Sequence, residues 1–196
     1  MFSTALADVQ EGEKHFSQLD AQTGDGDHGT AIVTALKAVN ESMKNATDLK
    51  MMFTDAGFAA MSEACGSTST LMGALLMGMY DGVNADEVDA ATVAAIFKAG
   101  LANVQKQTKA AVGDKTLIDA LVPAVEALED NKEAGLEVMF AEATKAAGEG
   151  AEKTKEMVAK FGRARNLGEK VIGFMDPGAA SMACIWAAFE KGLKTL

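Results

Sequence analysis

Apolar residues recur along most of the chain at the three- and four-residue spacing of amphipathic α-helices, and no convincing β-strand pattern is found. One clear stripe is formed by Val93, Ile96, Phe97, Leu101 and Val104. Each such stripe is expected to face a hydrophobic core, because an amphipathic helix buries its apolar side. The pattern predicts an all-α, single domain over residues 1–196, with helices near 4–19, 29–44, 49–65, 70–82, 90–106, 117–129, 136–161 and 179–194.

Capping and turn residues mark several predicted helix ends. Asp48 is expected to cap the third helix, and either Asp89 or Thr92 the fifth, because short polar side chains satisfy the free N–H groups of a first turn. Asp176-Pro177-Gly178 predicts a tight turn that leads into the last helix.

Polar and glycine-rich residues concentrate in four connections, at 20–30, 65–70, 107–116 and 162–178. These connections follow the first, third, fifth and seventh predicted helices. In an up-and-down arrangement of helices, alternate connections lie at the same end of the bundle. All four are therefore predicted to meet at one end, where they can form a composite site.

Composition narrows the classes of function. The net charge of −10 argues against a nucleic-acid or anionic-membrane surface, since both attract basic patches. Cys65 and Cys184 lack metal-ligand spacing and are expected to be buried free thiols. Neither a secretory signal nor an apolar run of about 20 residues is evident, so a cytoplasmic protein is expected.

Residues 20–31, Asp-Ala-Gln-Thr-Gly-Asp-Gly-Asp-His-Gly-Thr-Ala, carry the strongest chemical signal. Asp20, Asp25 and Asp27 suit Mg²⁺, which prefers oxygen ligands and is commonly shared with substrate phosphates. The start of the next helix adds N–H groups that bind anions. A solvated turn is the simpler alternative, since Asp and Gly are common turn residues. An EF-hand is excluded, because Leu36 stands where that loop requires Glu.

The remaining connections carry weaker signals. The hydroxyl-rich 65–70 connection suits phosphate contacts but equally suits helix capping. Gly113-Asp114-Lys115-Thr116 is a polar turn with the same two interpretations. Arg163 can either neutralise a phosphate or remain solvated. His28 can be a phosphate donor, a neighbour of metal ligands, a phosphorylated nucleophile or a satisfied turn residue.

Taken together, these connections resemble those of the nucleotide-binding L subunits of dihydroxyacetone kinases. The resemblance covers nearly the whole chain. The aspartate segment and the Asp-Pro-Gly segment are specific to that family in this order and spacing. The matching segments are LDAQTGDGDHGTA at 19–31, GSTSTLMG at 66–73, GDKTLIDALVPAVEAL at 113–128 and GRARNLGEKVIGFMDPGAA at 162–180.

The resemblance implies eight antiparallel helices that form a closed helical barrel, with the nucleotide in the loops at one end. It implies that Asp20, Asp25 and Asp27 hold two Mg²⁺ ions at the phosphates of ADP or ATP. The 107–117 segment is expected to border the base or ribose, and Arg163 to close the other side. Nucleotide contacts are implied for His28, Gly29, Thr30, Ala31, Ser67, Thr68, Thr108, Gly113, Leu117, Arg163, Asp176, Pro177 and Gly178.

The implied activity is phosphoryl transfer to dihydroxyacetone that is bound on a separate K subunit. In the phosphotransferase-dependent form of the family, ADP stays bound and a phosphohistidine phosphotransferase M protein rephosphorylates it in place. Catalysis would then depend on positioning and on charge neutralisation by Mg²⁺ and Arg163, as a loose transition state requires. A transcription regulator and a second copy of the chain are left open as further partners, whereas nucleic acid and membrane are not expected.

Some residues depart from the family pattern. Cys65-Gly66 stands where paired glycines are common, and Thr108 stands where some members carry glycine. The segment before Asp20 is short, so the first helix is expected to be trimmed. Two alternatives therefore accompany dihydroxyacetone kinase activity: transfer to another short ketose such as a tetrulose, and a nucleotide-loaded module that signals to a transcription regulator. Outside the family, an acidic helical cation-binding protein is the remaining hypothesis.

Overall fold

The computed structural model describes residues 1–63, 66–84 and 88–195. Its α-helices are α1 (Phe2–Thr23), α2 (His28–Met43), α3 (Leu49–Glu63), α4 (Ser67–Gly82), α5 (Ala90–Gln107), α6 (Ile118–Asp130), α7 (Leu136–Lys153) and α8 (Pro177–Leu193). Three 3₁₀ helices lie in the connections, at Lys132–Ala134, Thr154–Glu156 and Ala164–Val171. The described residues contain no β-strand, which confirms the all-α prediction. Among these same residues, no helix combines the length and apolar character that crossing a membrane requires.

Each helix packs against the next one along the chain, and α1 also packs against α8. The buried sides of the helices join in a hydrophobic cluster that contains the predicted apolar stripes. Aromatic rings lie within this cluster: the centroids of Phe97 and Trp186 are 4.8 Å apart, and Phe140 and Phe189 meet Phe97 edge-on at 6.0 and 6.1 Å. Edge-to-face pairs stabilise a core beyond the apolar area that they bury.

The caps predicted for the third and fifth helices are confirmed, and the predicted turn at Asp176 also supplies a cap. Asp48, Asp89 and Asp176 each accept a hydrogen bond from the backbone N–H three residues ahead, at 2.8, 2.7 and 2.8 Å. The fifth helix is therefore capped by Asp89, not by Thr92. These bonds satisfy N–H groups that have no intrahelical acceptor.

Helix α1 is longer than predicted, because it spans Phe2–Thr23 instead of 4–19. Helix-forming residues follow Asp20, and the first glycine after them, Gly24, donates its N–H back to the Asp20 carbonyl at 2.5 Å. Asp20 consequently lies on the last turn of a helix and not in a loop.

Helix α4 begins at Ser67, three residues before its predicted start. Gly66 has a φ of +108° and opens the helix, and the hydroxyls of Ser69 and Thr70 both donate to its carbonyl at 3.0 Å. The hydroxyl groups thus bond within the first turn, which extends the helix toward the candidate site. Cys65 lies outside the described residues.

Helix α7 ends at Lys153, well before the predicted residue 161. The buried Thr154 begins a 3₁₀ turn, and its hydroxyl donates to the carbonyl of Ala151 at 2.6 Å. Its own carbonyl accepts the ammonium of Lys115 at 2.5 Å. This long-range contact, which local sequence does not encode, fixes the end of the helix.

The second cysteine, Cys184, lies on α8 and is a free thiol that is partly buried. Burial raises the pKa of this thiol to about 11. It is therefore protonated and unreactive at neutral pH, as expected of a structural cysteine.

Candidate functional site

The four polar connections meet around a cavity of about 460 Å³. Residues from each connection contribute to it, so the predicted meeting of the four connections at one end is confirmed. The lining residues are Asp20, Thr23, Gly24, Asp27, His28, Ala31, Gly66, Ser67, Thr68, Leu71, Thr108, Ala110, Lys115, Thr116, Leu117, Ile118, Phe161, Gly162, Arg163, Ala164, Asp176, Pro177 and Gly178.

Three carboxylates cluster at one side of this cavity. Asp20, Asp25 and Asp27 each offer an oxygen that lies within 4.8 Å of the oxygens of the other two. The loop folds back over Asp20, whose Oδ2 accepts the N–H of Gly26 at 3.0 Å and the N–H of His28 at 3.2 Å. The φ of +82° at Gly26 permits this reversal. This grouping of hard oxygen atoms is suited to a divalent cation.

Arg163 joins the 162–178 connection to the aspartate loop. Its guanidinium forms an ion pair with Asp25. Both side chains are solvent-accessible, with 66% of Arg163 and 42% of Asp25 exposed. An exposed pair of this kind contributes little stability, so its partners can be exchanged at small cost.

The ring of His28 lines the cavity, but both of its nitrogens already have partners. Nε2 lies 2.9 Å from the hydroxyl of Ser181, and Nδ1 lies 3.2 Å from the hydroxyl of Thr68. Burial lowers the pKa of His28, although Asp20 and Asp27 oppose that shift. The imidazole is therefore neutral and links α2 to α4 and α8.

The start of α2 divides its predicted contact residues into two groups. Ala31 lines the cavity, whereas Gly29 and Thr30 do not. Helices α1 and α2 touch at Gly29, because a Cβ at this position would collide with the carbonyl of Glu13 on α1. Next to it, the Thr30 hydroxyl donates to Oε1 of Glu13 at 3.1 Å. The first hydrogen bond within α2 runs from the Ala31 N–H to the Asp27 carbonyl, so the N–H groups of Gly29 and Thr30 have no acceptor within the helix. These two residues can therefore bind an anion through their backbone N–H groups and not through their side chains.

Further lining residues come from the start of α4, from the end of α5 and from the residue before α6. Ser67 and Thr68 occupy the first turn of α4 and line the cavity. Thr108 follows the end of α5, where its hydroxyl accepts the N–H of Ala110 at 3.1 Å. Leu117 precedes α6 and adds an apolar surface.

Gly113, like Gly29 and Thr30, is a predicted contact residue that is absent from the cavity lining. Its N–H donates to Oδ1 of the buried Asp119 at 2.6 Å, while Oδ2 of Asp119 accepts the N–H of Thr116 at 2.7 Å. One carboxylate on α6 thereby holds the whole turn. Gly113 has a φ of +98°, so its place in this turn is conformational.

Lys115 is a lining residue that the sequence did not single out. It is only 2% exposed, and its ammonium donates at 2.5 Å to the carbonyls of both Thr154 and Phe174. Burial lowers its pKa, and the carboxylates of Asp176 and Asp119 oppose that effect. A φ of +60°, unusual for a residue with a Cβ, turns this side chain inward.

The predicted Asp176-Pro177-Gly178 segment lies on the cavity in full. The Asp176 N–H donates to the Thr154 hydroxyl at 2.9 Å, and its carboxylate caps α8. Burial raises the pKa of Asp176 to about 7, although the Ala179 N–H and the Lys115 ammonium oppose the shift. Lys115, Thr154 and Asp176 thus form a continuous polar network beneath the cavity.

The cavity also has an apolar side that sequence reasoning missed. Leu71, Ile118 and Phe161 contribute to it together with Leu117. Phe161 was predicted to end a helix, and it reaches the cavity because α7 stops early. A cavity with carboxylates and helix starts at one side and apolar side chains at another is suited to a ligand with a charged end and a flat apolar end.

Known proteins resemble this chain along most of its length. Residues 22–191 match the family described as the DAK2 domain. The chain is 35% identical over 184 residues to the PEP-dependent dihydroxyacetone kinase 1, ADP-binding subunit DhaL, of Listeria innocua, covering 92% of this chain and 87% of the relative. It is 34% identical over 190 residues to the L-erythrulose 1-kinase of Mycolicibacterium smegmatis, covering 93% of this chain but 33% of that enzyme.

A solved structure shares the fold. The dihydroxyacetone kinase from C. freundii in complex with AMP-PNP and Mg²⁺ superposes with a TM-score of 0.77 at 26% sequence identity. The similarity covers 97% of this chain and 33% of the other, so this chain spans about a third of the length of that kinase.

Proposed function

The chain belongs to the DAK2 domain family and is of the DhaL type; on that premise we propose that it is the nucleotide-binding subunit of a dihydroxyacetone kinase. We propose further that residues 1–196 form one domain and that the contact of α1 with α8 closes the helices into a barrel. The observation that carries the function is the clustering of three carboxylates beside a cavity that helices α2 and α4 enter with their N-termini.

Asp20, Asp25 and Asp27 are proposed to hold two Mg²⁺ ions. The donor set fits, because three carboxylate oxygens within 4.8 Å of one another can share hard divalent cations. The charge of the protein also requires them, since a chain of net charge −10 with three clustered carboxylates repels a polyphosphate unless cations intervene. When bound, such ions neutralise the negative charge that phosphoryl transfer develops.

The phosphates of ADP or ATP are proposed to lie between the two helix starts and Arg163. Backbone N–H groups at Gly29, Thr30, Ser67 and Thr68 point out of helix N-termini, where the dipole favours anions. Arg163 would exchange its exposed pairing with Asp25 for a phosphate oxygen. Positioning and charge neutralisation are the main catalytic contributions that a loose transition state needs.

The base and ribose are proposed to lie against the opposite side of the cavity. Thr108, Leu117 and Phe161 provide a wall that is largely apolar there. The Asp176–Gly178 turn closes the same side. Gly113 is proposed to border the same side, in a turn that Asp119 holds.

The phosphoryl acceptor is proposed to be dihydroxyacetone on a separate K subunit. The L-erythrulose 1-kinase and the C. freundii kinase are each about three times as long as the matched region, which supports a division of labour between this domain and another. The name of the Listeria relative supports PEP-dependent rephosphorylation of bound ADP, for which we propose a phosphohistidine M protein as donor. Binding to a transcription regulator and the formation of a homodimer stay predictions.

A tetrulose is the second candidate acceptor, because the relative from Mycolicibacterium smegmatis is an L-erythrulose 1-kinase. Turnover of dihydroxyacetone and erythrulose with the cognate K subunit distinguishes the two. A higher kcat/KM for erythrulose than for dihydroxyacetone would show that the tetrulose is the substrate. The proposed nucleotide site would be unaffected by that result.

Native mass spectrometry and calorimetry with Mg²⁺ and ADP test the nucleotide site. We expect a mass increase of one ADP and two Mg²⁺, and a loss of about a hundredfold in Mg²⁺-ADP affinity in the Asp20→Asn and Asp25→Asn variants. Asp55→Asn is the matched control, since Asp55 is exposed on α3 away from the cavity lining. Equal affinity in all three variants would refute the site.

A further inference from the structure

Asp114, in the turn before α6, holds the stretch between α7 and α8 that carries Arg163. The backbone N–H of Lys160 donates to the carbonyl of Asp114 at 3.1 Å, and the ammonium of Lys160 donates to Oδ1 of Asp114 at 2.5 Å. These two hydrogen bonds form a clasp between residues that are 46 positions apart in the sequence. Because one bond uses the main chain of Lys160 and the other its side chain, the clasp fixes both the position and the direction of this stretch.

The Asp114 end of the clasp is oriented by its own turn. Oδ2 of Asp114 accepts the N–H of Ala111 at 2.8 Å, and the N–H of Asp114 donates to the Ala111 carbonyl at 3.1 Å. Only 9% of the Asp114 side chain is exposed, so its bond to Lys160 is largely shielded from water at the carboxylate. A charge-assisted hydrogen bond to such a carboxylate is stronger than one between two exposed groups.

Arg163 lies three residues after Lys160, and its backbone is held from both sides. The buried Ala159 and the clasp precede it. The 3₁₀ helix Ala164–Val171 begins directly after it, and the N–H of Asn166 donates to the Arg163 carbonyl at 3.1 Å. The guanidinium, in contrast, is exposed in its pair with Asp25. It can therefore exchange this carboxylate for another anion while the backbone stays in place.

We propose that Asp114 and Lys160 are positioning residues for Arg163, and that their clasp places its guanidinium where the nucleotide phosphates bind. This inference rests on the proposed function, in which Arg163 contacts a phosphate oxygen. A side chain on a fixed backbone loses less freedom on binding than one on a mobile segment, so the clasp raises affinity without contact to the ligand. Neither Asp114 nor Lys160 is among the residues that line the cavity.

Two variants break the clasp with opposite changes of charge. Lys160→Met removes a positive charge, whereas Asp114→Asn removes a negative one and keeps an oxygen for the Ala111 N–H. The main-chain bond from Lys160 stays in both, so both chains are expected to fold. If these residues acted only through their charge, Asp114→Asn would strengthen the binding of an anionic ligand. We expect both variants to weaken Mg²⁺-ADP binding about fivefold in calorimetry, and stronger binding by Asp114→Asn would overturn the proposal.

The Arg163→Met background shows whether the clasp acts through Arg163. Without the guanidinium nothing is left to position, so Lys160→Met should then change the affinity for Mg²⁺-ADP by less than about twofold. A fivefold loss in both backgrounds would show a merely structural role and would overturn the proposal. Lys160→Arg, which keeps the charge and the donors, should bind like the native chain. Lys155→Met is the matched control with native affinity, because Lys155 pairs with Glu152 while 43% and 60% of the two side chains are exposed.

Backbone nitrogen-15 relaxation of the nucleotide-free chain tests the geometry without a ligand. We expect the order parameters at Gly162 and Arg163 to fall from about 0.85 toward about 0.6 in Lys160→Met and Asp114→Asn, and to stay native in Lys155→Met. Unchanged order parameters in the two clasp variants would overturn the proposal. Failure of the native chain to bind Mg²⁺-ADP would refute the proposed function, whereas the relaxation measurement would still decide whether the clasp holds Arg163.

Discussion

Lys115 offers the sharpest test of how the cavity is held together. Its ammonium lies beneath the cavity and donates to the carbonyls of Thr154 and Phe174, which are 39 and 59 residues away along the chain. Lys115→Met keeps the length of the side chain but removes the charge and both donors. The variant should separate the 113–116 turn from the end of α7 and from the turn before α8.

The structure sets the size of the expected loss. A hydrogen bond from a charged group contributes about 1.5–3 kcal/mol, and two such bonds are lost here. Thr154 is fully buried, so its carbonyl loses a partner that solvent does not readily replace. Asp176 also loses its neighbouring cation. Removing one member of a buried charged network costs about 3–5 kcal/mol, and we expect Lys115→Met to lower the free energy of unfolding by that amount.

Urea denaturation followed by circular dichroism measures this loss. A loss of about 3–5 kcal/mol corresponds to a fall of about 6–20 °C in Tm for a chain of this size. Lys44→Met is the matched control, because Lys44 pairs with Glu41 while 65% and 72% of the two side chains are exposed, and this variant should cost at most about 1 kcal/mol. Equal losses in the two variants would refute the assignment of Lys115 as the central support.

Three further outcomes are expected. Arg163→Met should weaken Mg²⁺-ADP binding about tenfold in calorimetry, yet change the free energy of unfolding by less than about 1 kcal/mol, because its pair with Asp25 is exposed. Burial raises the pKa of Asp176 to about 7 in the folded chain, whereas its pKa in the unfolded chain is about 4. The contribution of Asp176 to stability is therefore full below about pH 4 and is lost as the pH rises toward 7. Asp176→Asn should flatten the fall in Tm between these pH values, and an unchanged dependence of Tm on pH would contradict the burial argument. Trp186→Phe should lower the free energy of unfolding, measured by urea denaturation, by less than about 1 kcal/mol, because the buried Nε1 of Trp186 has no hydrogen-bond partner among the described residues. A loss of about 3 kcal/mol or more would show that the volume of the indole ring dominates.

The helical architecture was predictable because its signal is periodic and local. The stripe from Val93 to Val104 packs as expected, and the caps at Asp48 and Asp89 depend on residues three positions apart. Helix ends that depend on distant residues were not predictable. Helix α7 stops at Lys153 because of contacts around Thr154, one of which comes from Lys115.

The residues of the candidate site likewise fall into those that were predictable from local sequence and those that were not. The carboxylates of Asp20, Asp25 and Asp27 were identifiable, since their chemistry is concentrated in one short segment. Lys115 was not, because its burial results from a left-handed backbone conformation and two long-range acceptors. The nucleotide contact of Gly113 was inferred from its place in a matching segment and stays a prediction, since Gly113 is absent from the cavity lining.

The position of Asp20 on a helix has a consequence for how the site binds its ligand. Asp20 is fixed by α1 and by two backbone N–H groups, so its carboxylate is oriented before any ligand arrives. Asp25, in contrast, is paired with Arg163 at the surface. A cation that approaches Asp25 weakens its attraction for Arg163, and the released guanidinium becomes available to a phosphate. Cation and nucleotide should therefore bind with positive cooperativity, each favouring the same exchange of the Asp25–Arg163 pair.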